Sequence, residues 1–344
     1  MKFFSECERA HDKLSIRYEI FQIIKCIWGN PVYRQNLATE ARINLDFFVQ
    51  FVNLLLNDVT FVLDESFSSF TQIHDLSILL RSQDLEATAR QEQEDKLSAA
   101  KDKAKNYMML TNETVAMLKL FTEALGDSFT KKEVVVRLAH MLDYNLEALV
   151  GPQKSKLKVE NMEEYGWNPR QMLADIADVY LNLKDKRSFI DSVATDERSY
   201  RPAYFDTAMN ILKRYTLKSP EQLNDWQELS ESIKAAKEEA EAEEADLGDI
   251  PDEYLDPLLA TLMEDPVILP ISRQTLDRNT VRSHLLSDPH DPFNRAPLTI
   301  DQVIPNDELR EEIQKWKAGR LAEKRAERSA AVAEHATAEP MDTS

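Results

Sequence analysis

Cysteine and glycine are both scarce in this sequence of 344 residues. Cys7 and Cys26 are the only cysteines, too few for a disulfide framework or a zinc site of the usual ligand spacing. They read as buried free thiols in a reducing compartment. Six glycines argue against a β-rich or α/β chain. Positive charge is also in deficit: 42 Lys and Arg stand against 61 Asp and Glu, a net charge of −19. A surface of that sign repels phosphate, so nucleic acid is not an expected partner. It suits soluble proteins with basic faces, or simply solubility. No run of about 18 uninterrupted apolar residues occurs, which predicts no membrane span and no membrane partner. The N-terminal MKFFSECERAHDK lacks the apolar stretch of a signal peptide, so the protein is expected to be soluble and intracellular, in cytoplasm and nucleus. The sequence also has no Gly-rich phosphate loop, no HExxH and no GxSxG. His140 falls in an apolar helical segment and reads as a core or boundary residue, and His290 falls in an exposed loop. No nucleophile–base set, metal or cofactor is expected.

What the sequence has in quantity is helix-forming residues: Leu, Ala, Glu and Lys dominate. Residues 3–29 read as a helix that Gly29-Asn30-Pro31 ends. Asn44 starts a helix over Leu45–Leu63, apolar around most of its circumference and so expected between neighbours, and Asp64–Leu80 continues helical. Residues 84–106 read as a solvated, charged helix. Thr111 or Asn112 is the expected cap of the next helix, which runs to Gly126. Thr130 is the expected cap of another, ended by Gly151-Pro152. Asn168-Pro169 and Arg201-Pro202 open two more. Short connections between paired helices suggest an α-solenoid of armadillo or HEAT type over residues 1–218. Residues 219–249 read as a helix starting at Ser219-Pro220, followed by a linker in which Lys237 faces six acids up to Asp246. Like-charge crowding predicts mobility there. Residues 319–344 are alanine and charge without apolar periodicity and are expected to be disordered.

Residues 251–317 differ: they are rich in proline and short apolar runs, and hold no cysteine. A domain of this size has a core worth only about 3–5 kcal/mol and usually needs a staple. With metal and disulfide excluded, polar contacts between loops must supply it. Val267-Ile268-Leu269 and Gln274–Leu276 predict a small hairpin. Asp277 is the natural N-cap of a helix to Ser287, with Val281, His284 and Leu285 on one face. Asn306 caps a last helix carrying Leu309, Ile313 and Trp316.

This order resembles the U-box. The matching residues are Ile250-Pro251-Asp252, Asp256-Pro257, Met263, Asp265-Pro266-Val267, Leu276-Asp277-Arg278, Asp291-Pro292, Pro297-Leu298 and Pro305-Asn306. The resemblance implies a small α+β fold over 250–318, similar to a RING domain with polar contacts in place of zinc. The turn Pro270-Ile271-Ser272-Arg273 departs from the family in lacking glycine. The stretches DEYLDPLLATLMEDPVILPISRQTLDR and LLSDPHDPFNRAPL are most similar to the ubiquitin conjugation factors that elongate ubiquitin chains, as are WGNPVYR and DFFVQFVNLLLNDVTFVLDES upstream. Members of that family are longer, and the resemblance places this chain at their C-terminal end.

What the resemblance implies is a ubiquitin-protein ligase that acts by positioning. Its U-box would bind a conjugating enzyme carrying ubiquitin and hold that ubiquitin for attack by a lysine of a ubiquitinated substrate. The AAA ATPase segregase of the pathway is a further implied partner. Motif position carries over Leu258, Ala260, Pro292, Asn294 and Pro297 as conjugating-enzyme contacts, Ala260 standing where the family has a larger apolar residue. Arg295 carries over as the basic residue bridging enzyme and ubiquitin. Asp277, His284 and Phe293 are expected to be structural, with Leu262, Met263, Val267, Ile268, Phe293 and Leu298 in the core. Two alternatives stay open: Leu258 as core, since Leu255, Leu258 and Leu262 share a helical spacing, and Arg295 in an ion pair with Asp288 or Asp291. The rival to a ligase is a helical scaffold for ubiquitin-pathway partners without ligase activity.

Overall fold

A computed structural model of the chain describes residues 10–82, 86–285 and 288–337. The chain forms two units, Met1–Lys237 and Glu238–Ser344. The expectation of a helical core followed by a small α+β domain holds.

The first unit is built of α1 (Ala10–Trp28), α2 (Pro31–Ile43), α3 (Leu45–Ser82), α4 (Ala87–Phe129), α5 (Lys132–Val150), α6 (Pro169–Asn182), α7 (Arg187–Ala194), α8 (Pro202–Arg214) and the first part of α9 (Pro220–Leu247). Asn168 caps α6 as its sequence predicts, its side-chain oxygen accepting from the amides of Arg170 (3.2 Å) and Gln171 (3.1 Å). Pro169 and Pro202 stand in the first turns of α6 and α8, where a missing amide costs nothing. Helix α3 packs against α2, α4 and α5 and buries Val52, Leu56, Val59, Leu63 and Phe70. Its segment Phe47–Arg81 is long and apolar enough to cross a membrane by length and composition, although polar residues such as Asn57, Asp58 and Asp64 interrupt its apolar runs. Such a composition also follows from burial between neighbours on several sides. Farther along the same core an aromatic group centres on Tyr180, whose ring meets Phe205 at 5.4 Å, Trp226 at 5.5 Å and Phe189 at 5.8 Å. The Trp226 indole donates to the Phe205 carbonyl at 3.2 Å, so the start of α9 belongs to this core together with Leu229, Ile233 and Ala236.

Several sequence expectations are corrected. Thr111 does not cap a helix; α4 runs through it. Its buried hydroxyl lies 2.9 Å from the Tyr107 carbonyl one turn back, 3.0 Å from the Val62 carbonyl and 2.9 Å from the Ser66 hydroxyl. A threonine whose hydroxyl is satisfied inside a helix gives the chain no reason to stop. The glycine at 126 does mark an irregularity, since Leu125 leaves helical geometry (φ −130°, ψ 25°) and kinks α4. Thr130 closes α4, donating back to the Asp127 carbonyl at 3.0 Å, rather than opening α5. Ala100 and Ala104 are buried, so the charged stretch before Thr111 is solvated on one side only. His140 and Cys26 are exposed; Cys7 lies outside the described residues. The acidic run after Lys237 is helical to Leu247 instead of an irregular linker, and the last helix, α11, runs Asp307–Thr337, beyond the boundary at 318. Both stretches are rich in alanine, glutamate and lysine or arginine, whose intrinsic propensity outweighs charge repulsion and the lack of an apolar stripe. Ion pairs one turn apart, such as Lys324 with Glu327 at 2.8 Å, add to it.

The second unit holds the end of α9, strands β1 (Pro266–Ile268) and β2 (Thr275–Asp277), helix α10 (Arg278–Leu285), strand β3 (Ile304–Pro305) and α11. The strands form one antiparallel sheet in the order β2-β1-β3, with Val267 opposite both Leu276 and Pro305. Val267, Leu269, Leu276, Val281, Leu298 and Val303 make the core, and Met263 and Ile313 are buried as well. Ile268 and Leu262 are only half-buried. Asn306 begins α11 as expected, accepting from the Leu309 amide at 3.3 Å while its own amide donates to the Pro266 carbonyl at 2.9 Å. In the hairpin turn the left-handed conformation that glycine favours is taken by Arg273 (φ 58°), whose amide donates to the Leu269 carbonyl at 3.1 Å.

Candidate functional site

Two loops of the second unit are built on one plan. Asp256-Pro257 opens the first and Asp291-Pro292 the second. Each aspartate carboxylate accepts from the amide two residues on, Leu258 at 2.8 Å and Phe293 at 2.9 Å. Each aspartate carbonyl accepts from the amide four residues on, Ala260 at 2.7 Å and Arg295 at 2.9 Å. Each aspartate amide donates to the carbonyl five residues on, Thr261 and Ala296, both at 2.8 Å. The turn closes through a left-handed residue, Ala260 (φ 55°) in the first loop and Arg295 (φ 61°) in the second. Isolated bridges, Leu255 with Leu262 and His290 with Pro297, frame the two turns. Aspartate caps the turn and proline pre-sets its φ, which is why this dipeptide recurs.

Carboxylates also tie the loops to the sheet and helices. Asp256 Oδ2 accepts from the Asp277 amide at 2.8 Å. Asp277 accepts from the amides of Glu264 (2.7 Å) and Asp265 (2.9 Å), and from Asn279 (2.9 Å) at the start of α10. Asp265 in turn pairs with Arg278 at 2.7 Å and Arg310 at 3.2 Å. These contacts tie the loops, sheet and helices together, and among the described residues no group of three His, Cys, Asp or Glu could hold a metal ion. The buried Asp291 carboxyl is pushed up by burial, yet Ser272 and the amides of Phe293 and Asn294 hold it below the usual carboxylate range. His284 Nε2 on α10 donates to the His290 carbonyl at 2.9 Å, anchoring the second loop.

What the loops present outward is apolar. Leu258 and Leu259 are exposed on the first loop, Phe293 on the second and Ile271 on the hairpin turn. Leu258 is therefore a surface residue; the chain around it is a capped turn, not a helix. Phe293 is corrected from core to surface at 42% exposure, because capping of Asp291 uses its amide and leaves its ring outside. Pro292 is half-buried, and Ala260, Asn294 and Pro297 are exposed; the Asn294 side chain accepts from the Ala296 amide at 2.9 Å. Arg295 pairs with Asp288 at 2.9 Å, which realises one of the two partners weighed for it. The sequence reading passed over Leu259 and Ile271. Both adjoin turn residues, where an apolar side chain has no strand or helix face to bury it, and that is the signal that could have marked them. Such an arrangement can dock an apolar partner surface and offer a guanidinium beside it.

Comparison with known proteins agrees with these two units. Residues 1–234 match the ubiquitin elongating factor core family, and residues 250–321 match the U-box domain. The chain is similar to the "Ubiquitin conjugation factor E4" of Schizosaccharomyces pombe, 45% identical over 322 residues, 91% of this chain and 32% of that protein. It is similar to the "E4 ubiquitin-protein ligase UFD2" of Saccharomyces cerevisiae, 40% identical over 310 residues, 88% of this chain and 32% of that protein. It is similar to the "Ubiquitin conjugation factor E4 A" of Bos taurus, 38% identical over 331 residues, 93% of this chain and 31% of that protein. The chain thus spans about a third of the length of these relatives.

Proposed function

Since this chain belongs to the ubiquitin elongating factor family, by its core over 1–234 and its U-box over 250–321, we propose that it is a ubiquitin-protein ligase that lengthens ubiquitin chains. The observation that carries the reading is the pair of capped loops, which hold Leu258, Leu259 and Phe293 outward and Arg295 at the close of the second turn. Rigid loops lose little entropy on docking, so apolar contacts on them convert efficiently into affinity.

In this reading the partner is a conjugating enzyme carrying ubiquitin as a thioester. Leu258, Ala260, Pro292, Asn294 and Pro297 meet the enzyme, and Leu259 and Phe293 extend that contact. Arg295 bridges enzyme and ubiquitin through several N–H donors and holds the thioester for attack by a substrate lysine. The contribution is orientation and electrostatic alignment, without a covalent step on this chain. Ubiquitinated proteins are the proposed substrates, the segregase ATPase of the pathway a further partner, and cytoplasm and nucleus the proposed compartments. A scaffold without ligase activity is the rival.

The test is single-turnover discharge of a ubiquitin-charged conjugating enzyme onto free lysine, with the full chain. Acceleration is expected, reduced by Leu258→Ala through weaker binding and by Arg295→Ala at retained binding. No acceleration across a panel of conjugating enzymes leaves the scaffold.

A further inference from the structure

Arg295 is an exposed arginine with a demanding task. Its side chain is 79% accessible, and an unrestrained guanidinium on such a loop samples many rotamers that must be frozen before it can align a partner. The second loop contains a device that does this in advance. Asp288 precedes the Asp291-Pro292 turn and divides its two oxygens between two donors. Oδ2 accepts from Arg295 Nη1 at 2.9 Å, and Oδ1 accepts from His290 Nδ1. His290 is itself fixed, because its carbonyl accepts from His284 Nε2 on α10 at 2.9 Å. A line of contacts therefore runs from the helix through His284, His290 and Asp288 to the guanidinium. The His290 hydrogen bond foremost, opposed by burial and assisted by the Arg295 charge, holds the Asp288 carboxyl below its ordinary range.

We infer that Asp288 is a positioning residue for Arg295, ordering its guanidinium before the conjugating enzyme arrives. The pair consumes one of the five N–H donors of the guanidinium and leaves four to meet carbonyl oxygens. Asp288 touches neither enzyme nor ubiquitin; it acts through the arginine. The inference rests on the ligase reading above and adds to it the residue that sets the arginine's geometry. An exposed ion pair contributes little to folding, so loss of Asp288 is expected to alter transfer without unfolding the domain.

The test is a double-mutant cycle in the full chain, read by single-turnover discharge onto free lysine. Asp288→Ala is expected to lower the saturating rate constant by about 3–10-fold, with half-saturation unchanged within about twofold. Asp288→Asn, which keeps the side-chain shape, is expected to fall between. In an Arg295→Ala background the same substitution is expected to do nothing further. Side-chain NMR supplies a readout independent of activity: the Arg295 Nε–Hε resonance is resolved in the wild type and merges with those of unrestrained arginines in Asp288→Ala. Equal losses in both backgrounds, an unchanged or faster rate, or an unchanged Arg295 resonance overturns the inference while leaving an active wild type as a ligase. A wild type inactive with every conjugating enzyme overturns the ligase reading and, with it, this role for Asp288.

Discussion

The carboxylate of Asp256 accepts from the backbone amide of Asp277 at 2.8 Å, across the body of the second unit, while its other oxygen caps the first loop through Leu258 and Leu259. One fully buried side chain thus joins the first loop to strand β2. Asp256→Ala leaves three amides without that acceptor. Bonds to a charged group contribute about 1.5–3 kcal/mol each, against a core of about 3–5 kcal/mol for a domain of this size. The second unit is expected to unfold in this variant, with its NMR amide dispersion lost and the Tyr180 cluster of the first unit intact. Retained dispersion would show that the carboxylate is dispensable.

Ala260 occupies a left-handed position (φ 55°) that costs an L-residue roughly 1–2 kcal/mol. Ala260→Gly removes that cost and returns part of it as unfolded-chain entropy. The second unit is expected to gain about 0.5–1 kcal/mol, measurable as a higher denaturation midpoint, and a lower midpoint would contradict the assigned turn.

Phe293 separates a surface role from a core role by magnitude. A core phenylalanine truncated to alanine costs about 3–5 kcal/mol. At 42% exposure, Phe293→Ala is expected to cost less than about 1 kcal/mol while weakening capture of a ubiquitin-charged conjugating enzyme. A loss of stability in the core range, measured by chemical denaturation, would return the ring to the interior.

Asp143 on α5 is buried beside Asp196, which follows α7, and accepts from the Tyr180 hydroxyl of α6 at 2.5 Å. Burial, opposed by that hydrogen bond and reinforced by Asp196, pushes the Asp143 carboxyl well above its ordinary value. In the unfolded chain it ionises from about pH 4 upward. Above that point the folded state holds a proton the unfolded state has lost, so stability falls as pH rises until the folded carboxyl also ionises, by up to about 1.4 kcal/mol per unit. Asp143→Asn carries no such proton. Its denaturation midpoint relative to wild type is expected to improve between about pH 5 and 8, and a difference independent of pH would mean that Asp143 is already ionised in the fold.

Much of this was legible from residue order alone. Asn168 before Pro169, Asn306 before an apolar-periodic segment and Asp277 before α10 announce their caps because capping is a local event. The Asp-Pro pairs and the β-prone runs around Pro270 mark the small domain because turn chemistry is local too. Thr111 misled because the carbonyl of Val62 that its hydroxyl faces belongs to another helix. Phe293 misled because hydrophobicity states a preference for burial, while a capped turn decided which way the ring points. The acidic run and the tail as far as Thr337 became helix because local propensity acts without a core.

By itself the sequence determined the helix starts that carry a local cap, such as Asn168 and Asn306, which stretch forms the small cysteine-free domain, and which family the chain resembles. Those properties depend on neighbours a few residues apart. Only the tertiary structure decided that Asp143, Tyr180 and Asp196 share one buried site, that Asp256 reaches Asp277, and that Arg295 is held by Asp288. Each of these depends on how separate segments fold back on one another, and that geometry is selected by packing and by satisfying buried polar groups across the whole unit.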